Sequence, residues 1–188
     1  FRQSLSSTAQ IYTEQISGKV DKINSGSLEL VSLAASSQNY YTSSPLGRYL
    51  TQQDILTRLQ DRIRYVESSD LYFFYRTDSD ELLTALSNRA STGSSYFWNQ
   101  YLMLPPTQPA NTWFSVTCNG ETWLMCYYNV SQVRVGAAVR AKTLLQSLYA
   151  DTGLVQDSGF ALAGLDGTIV YSSQPDLMAC GTSLAGHI

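Results

Sequence analysis

The chain has 188 residues, enough for one domain with a sizeable core, or for one domain and part of another. Hydrophobic residues make up 44% and charged residues only 14%, so Ser, Thr, Gln, Asn and Tyr supply most of the polarity, which suits an extracytoplasmic protein. The net charge of -3 and the scattered Lys and Arg argue against nucleic-acid binding, and no apolar run approaches the length of a membrane-spanning helix.

Residues 1–50 are predicted to form a long helix and a loop. Apolar and small residues recur from Ile16 to Ala34 at steps of four and three, a spacing of about 3.5 residues per turn. Gly18 and Gly26 interrupt this helix, each at a cost of about 1 kcal/mol relative to Ala, so packing must hold it in place. The helix can lie on its own domain's sheet, which the short seam favours, or it can also pair with a second copy in a homodimer.

The elements between the long helix and residue 150 follow from local patterns. A capping box beginning at Thr51 predicts a second helix that ends near Glu67. The next elements are strands at 71–76 and 81–86, a short aromatic helix capped by Ser94 and ended by the prolines at 105 and 106, a three-stranded meander, and a helix over 141–149.

The stretch WFSVTCNGETWLMCYY, residues 113–128, predicts a β-hairpin around an Asn-Gly turn. In that register Phe114 pairs with Met125, and large apolar side chains fall on both faces. A sheet that is apolar on both faces lies between two layers. We expect the long helix to cover one face and the segment 87–110, called the flap below, to cover the other.

These elements predict an α+β fold in which the long N-terminal helix packs on a five-stranded antiparallel sheet. Residues 51–140 form the main unit. Residues 141–188 add a connecting helix and a hairpin around Asp166-Gly167, which looks like the start of a second unit that this sequence does not complete.

The order of these elements, together with VGAAVRAKTLLQSL and LDGTIVYSSQPDL, resembles the double Cache sensor modules. These modules are built from PAS-like units and form the extracytoplasmic part of bacterial receptors such as sensor histidine kinases and chemoreceptors. The resemblance implies that 51–140 is a membrane-distal, PAS-like ligand-sensing unit and that 141–188 opens a membrane-proximal one. It also implies that the full-length protein is anchored in a cell membrane and acts in signal transduction.

Many amino-acid-binding members of this family carry an Arg-x-Trp-aromatic pattern on the short helix and an Asp at the end of the fifth strand. In this sequence no Arg stands two residues before Trp98, and Arg140 is found near the strand end. The resemblance therefore implies a small-molecule ligand that is not an α-amino acid. We expect no cofactor and no metal.

Enzymatic catalysis is not expected. The single histidine, His187, is the penultimate residue of the sequence, whereas Ser-His-Asp and Cys-His mechanisms need a positioned imidazole. The carboxylates at 78–81 are typical of turn residues. Cys118, Cys126 and Cys180 lack the spacing of a disulfide framework and are predicted to be small buried apolar residues.

Aromatic residues on the short helix and on one face of the hairpin are typical both of a small-molecule cavity and of an ordinary core. We place the flap against the Trp113 face, because Ser115 mixes there with the aromatics. An arginine pointing into a cavity can bind a carboxylate or phosphate, although it can also extend along the sheet edge. The predicted ligand-binding residues are Arg76, Tyr96, Trp98, Tyr101, Trp113, Ser115, Cys126, Tyr128 and Arg134.

Two functions remain open from the sequence. In the first, a small solute binds between the sheet and the flap, and the long helix passes a displacement to the membrane. In the second, the chain is a ligand-free interaction or dimerisation module of a receptor, which a filled core under the flap would favour.

Overall fold

The computed structural model describes residues 2–37, 44–90, 92–150 and 159–186. The predicted α+β fold, with a long N-terminal helix on a five-stranded antiparallel sheet, is confirmed. The helices are α1 (Arg2–Ser37), α2 (Pro45–Tyr65), α3 (Thr92–Met103), α4 (Ala141–Leu144) and α5 (Gln146–Ala150). The strands are β1 (Leu71–Arg76), β2 (Glu81–Leu86), β3 (Phe114–Cys118), β4 (Glu121–Val130), β5 (Val133–Arg140), β6 (Ala161–Ala163) and β7 (Ile169–Ser172).

The main sheet has the strand order β2-β1-β5-β4-β3, and all neighbours in it are antiparallel. The predicted hairpin register is confirmed, with Phe114 opposite Met125. Asn119 and Gly120 both have positive φ angles, of 50° and 77°, which is the backbone that a two-residue hairpin turn requires. All six residues of β1 are buried because this strand lies inside the sheet and is covered on both faces.

Two helical layers enclose the sheet, as the doubly apolar hairpin predicts. On one face α1 and α2 pack in a core with Ile23, Leu30, Ile55, Leu59, Tyr72 and Phe74. On the other face α3 packs in a second core with Phe73, Trp98, Leu102, Trp123 and Tyr127. The flap and the long helix therefore lie on opposite sides of the same strands.

Several predicted boundaries are wrong. Helix α2 begins at Pro45, ahead of the predicted capping box at Thr51, because the Ser44 hydroxyl accepts a hydrogen bond from the N–H of Gly47 (3.3 Å) and Pro45 occupies the first turn. Helix α3 begins at Thr92, so Ser94 is a buried helical residue and not its cap. The single helix predicted over 141–149 is two short helices, since Leu145 ends the first.

The described part of the C-terminal region contains the hairpin β6–β7 and a 3-10 turn at Leu184–Gly186. Gly167 has a φ of 80°, in agreement with the predicted Asp166-Gly167 turn. Cys180 is exposed, so its prediction as a buried residue is wrong, whereas Cys118 and Cys126 are buried. His187 lies outside the described residues.

Across the described ranges, no helix is both long enough and apolar enough to cross a bilayer.

Candidate functional site

The flap contacts the sheet face opposite to the one that the sequence analysis selects. Trp98 of α3 packs edge-to-face on Trp123, with ring centroids 5.1 Å apart. Trp113 instead packs with the core under α1 and α2. Alternate strand residues point to opposite sides, so this correction moves four predicted site residues together to the helix side: Trp113, Ser115, Cys126 and Tyr128.

The polar residues on the Trp113 face lie at the edge of the sheet and do not line a cavity under α3. Strand β3 is an edge strand, and Ser115 is half-buried on it. Ser115 lines a groove between β3 and the β6–β7 hairpin. Cys126 lies deeper, and burial raises the pKa of its thiol to about 11. None of these residues therefore lies beneath α3, although Trp113 and Ser115 line this groove together with Gln108 and Pro109 at the end of the flap.

Three further predicted residues, Tyr96, Trp98 and Arg76, lie in different environments, and none of them lines the cavity described below. Tyr96 is 75% exposed on the outer side of α3, whereas Trp98 is fully buried core. Arg76 lies at the β1–β2 turn, where its Nε donates to Oδ1 of Asp78 (2.8 Å) and its Nη2 donates to Oδ2. The Nε–Nη2 edge of the Arg76 guanidinium therefore already binds a carboxylate of the same chain.

Tyr101 and Arg134 are the residues predicted from the sequence that line the cavity between the C-terminal end of α3 and the sheet. The cavity has a volume of about 100 Å³ and is partly enclosed. It lies where α3 ends and the proline-containing segment after it turns back over the strands. Its main side chains are Phe73, Tyr101, Leu102, Met125, Tyr127 and Arg134.

Arg134 is the cationic residue of this cavity. Its Nη1 donates to the carbonyl oxygens of Leu102 and Leu104, both at 3.1 Å. The last carbonyls of a helix lack intrahelical partners and carry partial negative charge, so the guanidinium closes the C-terminal end of α3. The same group lies over the rings of Tyr75 and Tyr127, 5.5 and 5.6 Å from their centroids. Its Nε is buried and has no acceptor among the described residues.

Tyr127 holds the end of the flap from the sheet side. Its hydroxyl donates to the carbonyl of Gln108, and its own carbonyl accepts the N–H of Asn111 (2.7 Å). Arg134 therefore holds the start of the segment 102–111 that covers the cavity, and Tyr127 holds its end. Burial raises the pKa of the neighbouring Tyr101 hydroxyl, which stays protonated at neutral pH and can donate a hydrogen bond.

A buried acidic group that the sequence analysis missed fastens the start of the flap. Asp70 is fully buried just before β1, and its carboxylate accepts from the hydroxyl of Ser87 (2.8 Å) and from the backbone N–H of Arg140 (3.0 Å). The guanidinium of Arg140 lies 3.3 Å away and that of Arg89 3.6 Å away. Arg140 stands near the strand end where the amino-acid-binding pattern has an Asp, and in this chain it pairs with the buried carboxylate of Asp70.

Comparisons with protein-family models and with curated proteins found no match to this sequence. The geometry of the flap and sheet therefore carries the functional proposal. Within the described residues, no three His, Cys, Asp or Glu side chains are grouped so that they could hold a metal ion.

Proposed function

We propose that this chain is the small-molecule sensing segment of a bacterial membrane receptor, and that its ligand binds between the sheet and the end of the flap. The observation that carries the proposal is the cavity at Arg134, where a guanidinium that forms no ion pair with the described carboxylates lies beside an aromatic wall. Ligand sites combine an apolar lining with a few convergent polar groups in this way. The resemblance to double Cache modules supplies the receptor context: an extracytoplasmic segment, a membrane anchor in the full-length protein, and an output such as a histidine kinase.

Arg134 offers a way for a ligand to change the flap. The residue is shared between the cavity and the carbonyls of Leu102 and Leu104, so a ligand that binds the guanidinium changes how firmly the end of α3 is held. A ligand shifts such an equilibrium only by its difference in affinity for the two packings, typically about 1–3 kcal/mol.

Strand β1 offers a path from the cavity to the long helix. Phe73 lines the cavity, and the adjacent Tyr72 points to the opposite face, where its hydroxyl donates to the carbonyl of Ile23 in α1 (3.3 Å). A Cβ on Gly26 would lie 2.4 Å from the Tyr72 hydroxyl oxygen, so glycine is what allows this close approach. A displacement of β1 would therefore act on the middle of α1.

The test is a thermal-shift screen of small solutes, followed by spin-label distance measurements with and without the best binder. Labels at Asn99 on α3 and Asp21 on α1 report the flap against the helix, after exposed Cys180 is replaced by Ser. A second pair within α1, at Gln15 and Asp21, is the control. We expect the first distance to change on binding and the second to stay constant. A solute that occupies the cavity and leaves the first distance unchanged would refute the transmission.

A second candidate function is a ligand-free dimerisation module. Trp98 is fully buried under the flap, and the cavity of about 100 Å³ is smaller than the roughly 300–1,000 Å³ of usual ligand sites. Apolar side chains are also exposed on α1 and α2, among them Ile11, Leu28 and Leu50. This function predicts a dimer in sedimentation experiments that Leu28→Lys dissociates, and a chain that is monomeric at all accessible concentrations would exclude it.

A further inference from the structure

We propose that the groove between strand β3 and the β6–β7 hairpin binds a neutral saccharide, held by hydrogen bonds to polar side chains on both walls and by packing on Trp113. The proposal goes beyond the sensing function and does not depend on it. The groove is a separate site from the Arg134 cavity, because the described linings of the two share Phe114 alone.

The groove has the size of a ligand site. Its volume is about 690 Å³, within the roughly 300–1,000 Å³ of usual sites. One wall is formed by the end of the flap and the start of β3, and the other by the hairpin and residues 180–181. A water occupies about 30 Å³ of liquid, so the groove has room for roughly twenty groups of that size, which is about the number of non-hydrogen atoms in a disaccharide.

The flap-side wall presents uncharged polar groups on a fixed backbone. Asn111 has a φ of 59°, and its N–H donates to the carbonyl of Tyr127 (2.7 Å). The side chains of Asn111 and Ser115 have no hydrogen-bond partner among the described residues. Both side chains can donate and accept, and because the Asn111 backbone is already ordered, a ligand that binds its amide has less ordering to offset.

The backbone of β3 adds a donor and an acceptor to the same wall. Cys118 and Glu121 close the Asn-Gly turn as a hydrogen-bonded pair, and bonded and non-bonded pairs alternate along an antiparallel ladder. The N–H and C=O of Ser115 therefore point away from β4, towards the open edge of the sheet. A ligand in the groove can bind these two groups without breaking a strand pairing.

The hairpin wall carries the charged side chain of the described lining, Asp166. Its two oxygens accept from the N–H and the hydroxyl of Thr168, at 3.0 and 2.9 Å, which fixes the carboxylate in place. A carboxylate oxygen has more than one lone pair, so Asp166 can still accept the hydroxyl of a ligand. The described lining contains no Lys or Arg, so an anion would meet a like charge and no counter-charge.

These walls fit a saccharide better than the other solutes of that size. Sugar hydroxyls donate and accept, as the amide, hydroxyl, backbone and carboxylate groups of the groove require. Trp113 is half-buried in the lining, and its indole offers an aromatic surface to the apolar face of a sugar ring. An extended peptide fits less well, because β7 already packs against β3 and an added strand needs about 4.8 Å beside it.

The test uses the indole N–H signals of the three tryptophans in the ¹⁵N-labelled chain. Trp113 reports on the groove, whereas Trp98 and Trp123 lie under α3 and are controls in the same spectrum. The Trp113 signal is identified by its loss in Trp113→Phe. Maltose, cellobiose and lactose are each titrated to about 50 mM, well above an expected Kd on the order of 1 mM.

Three comparators at constant ionic strength define the class of ligand. Sorbitol has hydroxyls without the ring, ethylammonium chloride is a cation, and sodium acetate is an anion. We expect at least one disaccharide to shift the Trp113 signal alone and to bind at least about tenfold more tightly than each comparator.

Two variants at positions with positive φ locate the interaction. Asn111→Gly removes the amide, and glycine adopts the φ of 59° readily, so we expect the disaccharide to bind about tenfold more weakly. Ser131→Gly is the matched control, because Ser131 has a φ of 54° in the β4–β5 turn and does not line the groove. It should bind the disaccharide like the unmodified chain.

Several outcomes would overturn the proposal. These are no shift of Trp113 with any of the three disaccharides, equal binding of any comparator, or unchanged binding to Asn111→Gly. A Trp113 signal that moves with protein concentration alone would assign the groove to a second copy of the chain instead. Equal shifts of Trp98 or Trp123 would place the sugar under α3, which overturns this site and leaves the sensing function standing.

Discussion

Replacement of Gly26 by Ala should destabilise the chain, although Ala is ordinarily the better helix former. The added Cβ would lie 2.4 Å from the Tyr72 hydroxyl oxygen and 3.0 Å from the ring carbon that carries it. Tyr72 is fully buried and its hydroxyl is bonded to Ile23, so the ring has little room to withdraw. Overpacking of this kind costs about 1–3 kcal/mol. The helix propensity of Ala returns about 1 kcal/mol, which leaves a net loss of about 0–2 kcal/mol.

Gly18 provides the matched control on the same helix. It is exposed, and a Cβ there would meet nothing within 4 Å, so Gly18→Ala should stabilise by up to about 1 kcal/mol. The free energies of unfolding of the two variants, measured by urea titration with circular dichroism, should therefore differ by about 1–3 kcal/mol. Adding Tyr72→Phe to Gly26→Ala removes the nearest atom and should recover part of the loss. The reasoning is refuted if Gly26→Ala stabilises the chain as much as Gly18→Ala does.

Three other polar or reactive features give measurable outcomes. Asp70→Asn should lower the free energy of unfolding by about 3 kcal/mol, the lower end for a broken buried ion pair, because its arginine partners reach solvent; a loss under about 1 kcal/mol would contradict this. A thiol reagent at about pH 8 should modify Cys180 alone in the folded chain, since Cys118 and Cys126 are buried and the pKa of Cys126 is raised to about 11; more than one modified thiol per native chain would count against the structure. The arginine beside Asp78 holds the pKa of that carboxyl below its ordinary 3.8, so its stabilisation is present above pH 3.8 and is lost as the pH falls through the lowered pKa. The difference in unfolding free energy between the unmodified chain and Asp78→Asn should shrink in acid, and a difference independent of pH would contradict the assignment.

The features that the sequence predicts correctly are those with a local physical cause. The Asn-Gly pair demands two positive φ angles, which fixes the hairpin turn and therefore the pairing of Phe114 with Met125. The aromatic run at 71–76 has few alternatives to a buried strand. The start of α2 at Pro45, which the sequence analysis misses, also has a local cause, because proline is favoured in the first turn of a helix.

The assignment of the sheet faces could not be made in the same way. Alternation along the strands identifies which residues share a face. The Trp113 face and the Trp123 face are both apolar, however, so the pattern does not indicate which of them packs against the flap. The choice is made by which helix packs where, and that depends on the whole chain. The same limit hid the contact of Asp70 with Arg140, which are 70 residues apart in sequence and meet only because β1 pairs with β5.

The burial of β1 on both faces is what the proposed transmission from a ligand to the long helix requires. In a sheet with one solvent-exposed face, a displacement of a strand at the covered face would have no packed element on the other face to act on. Here successive residues of one strand, Tyr72 and Phe73, contact α1 on one side and the cavity on the other, with no mobile loop between them. Closely packed interiors transmit strain, so we expect a change at one of these contacts to reach the other. Gly26 and Arg134 stand at the two ends of this path: Gly26 admits the Tyr72 hydroxyl to the helix, and Arg134 places a charge beside the cavity.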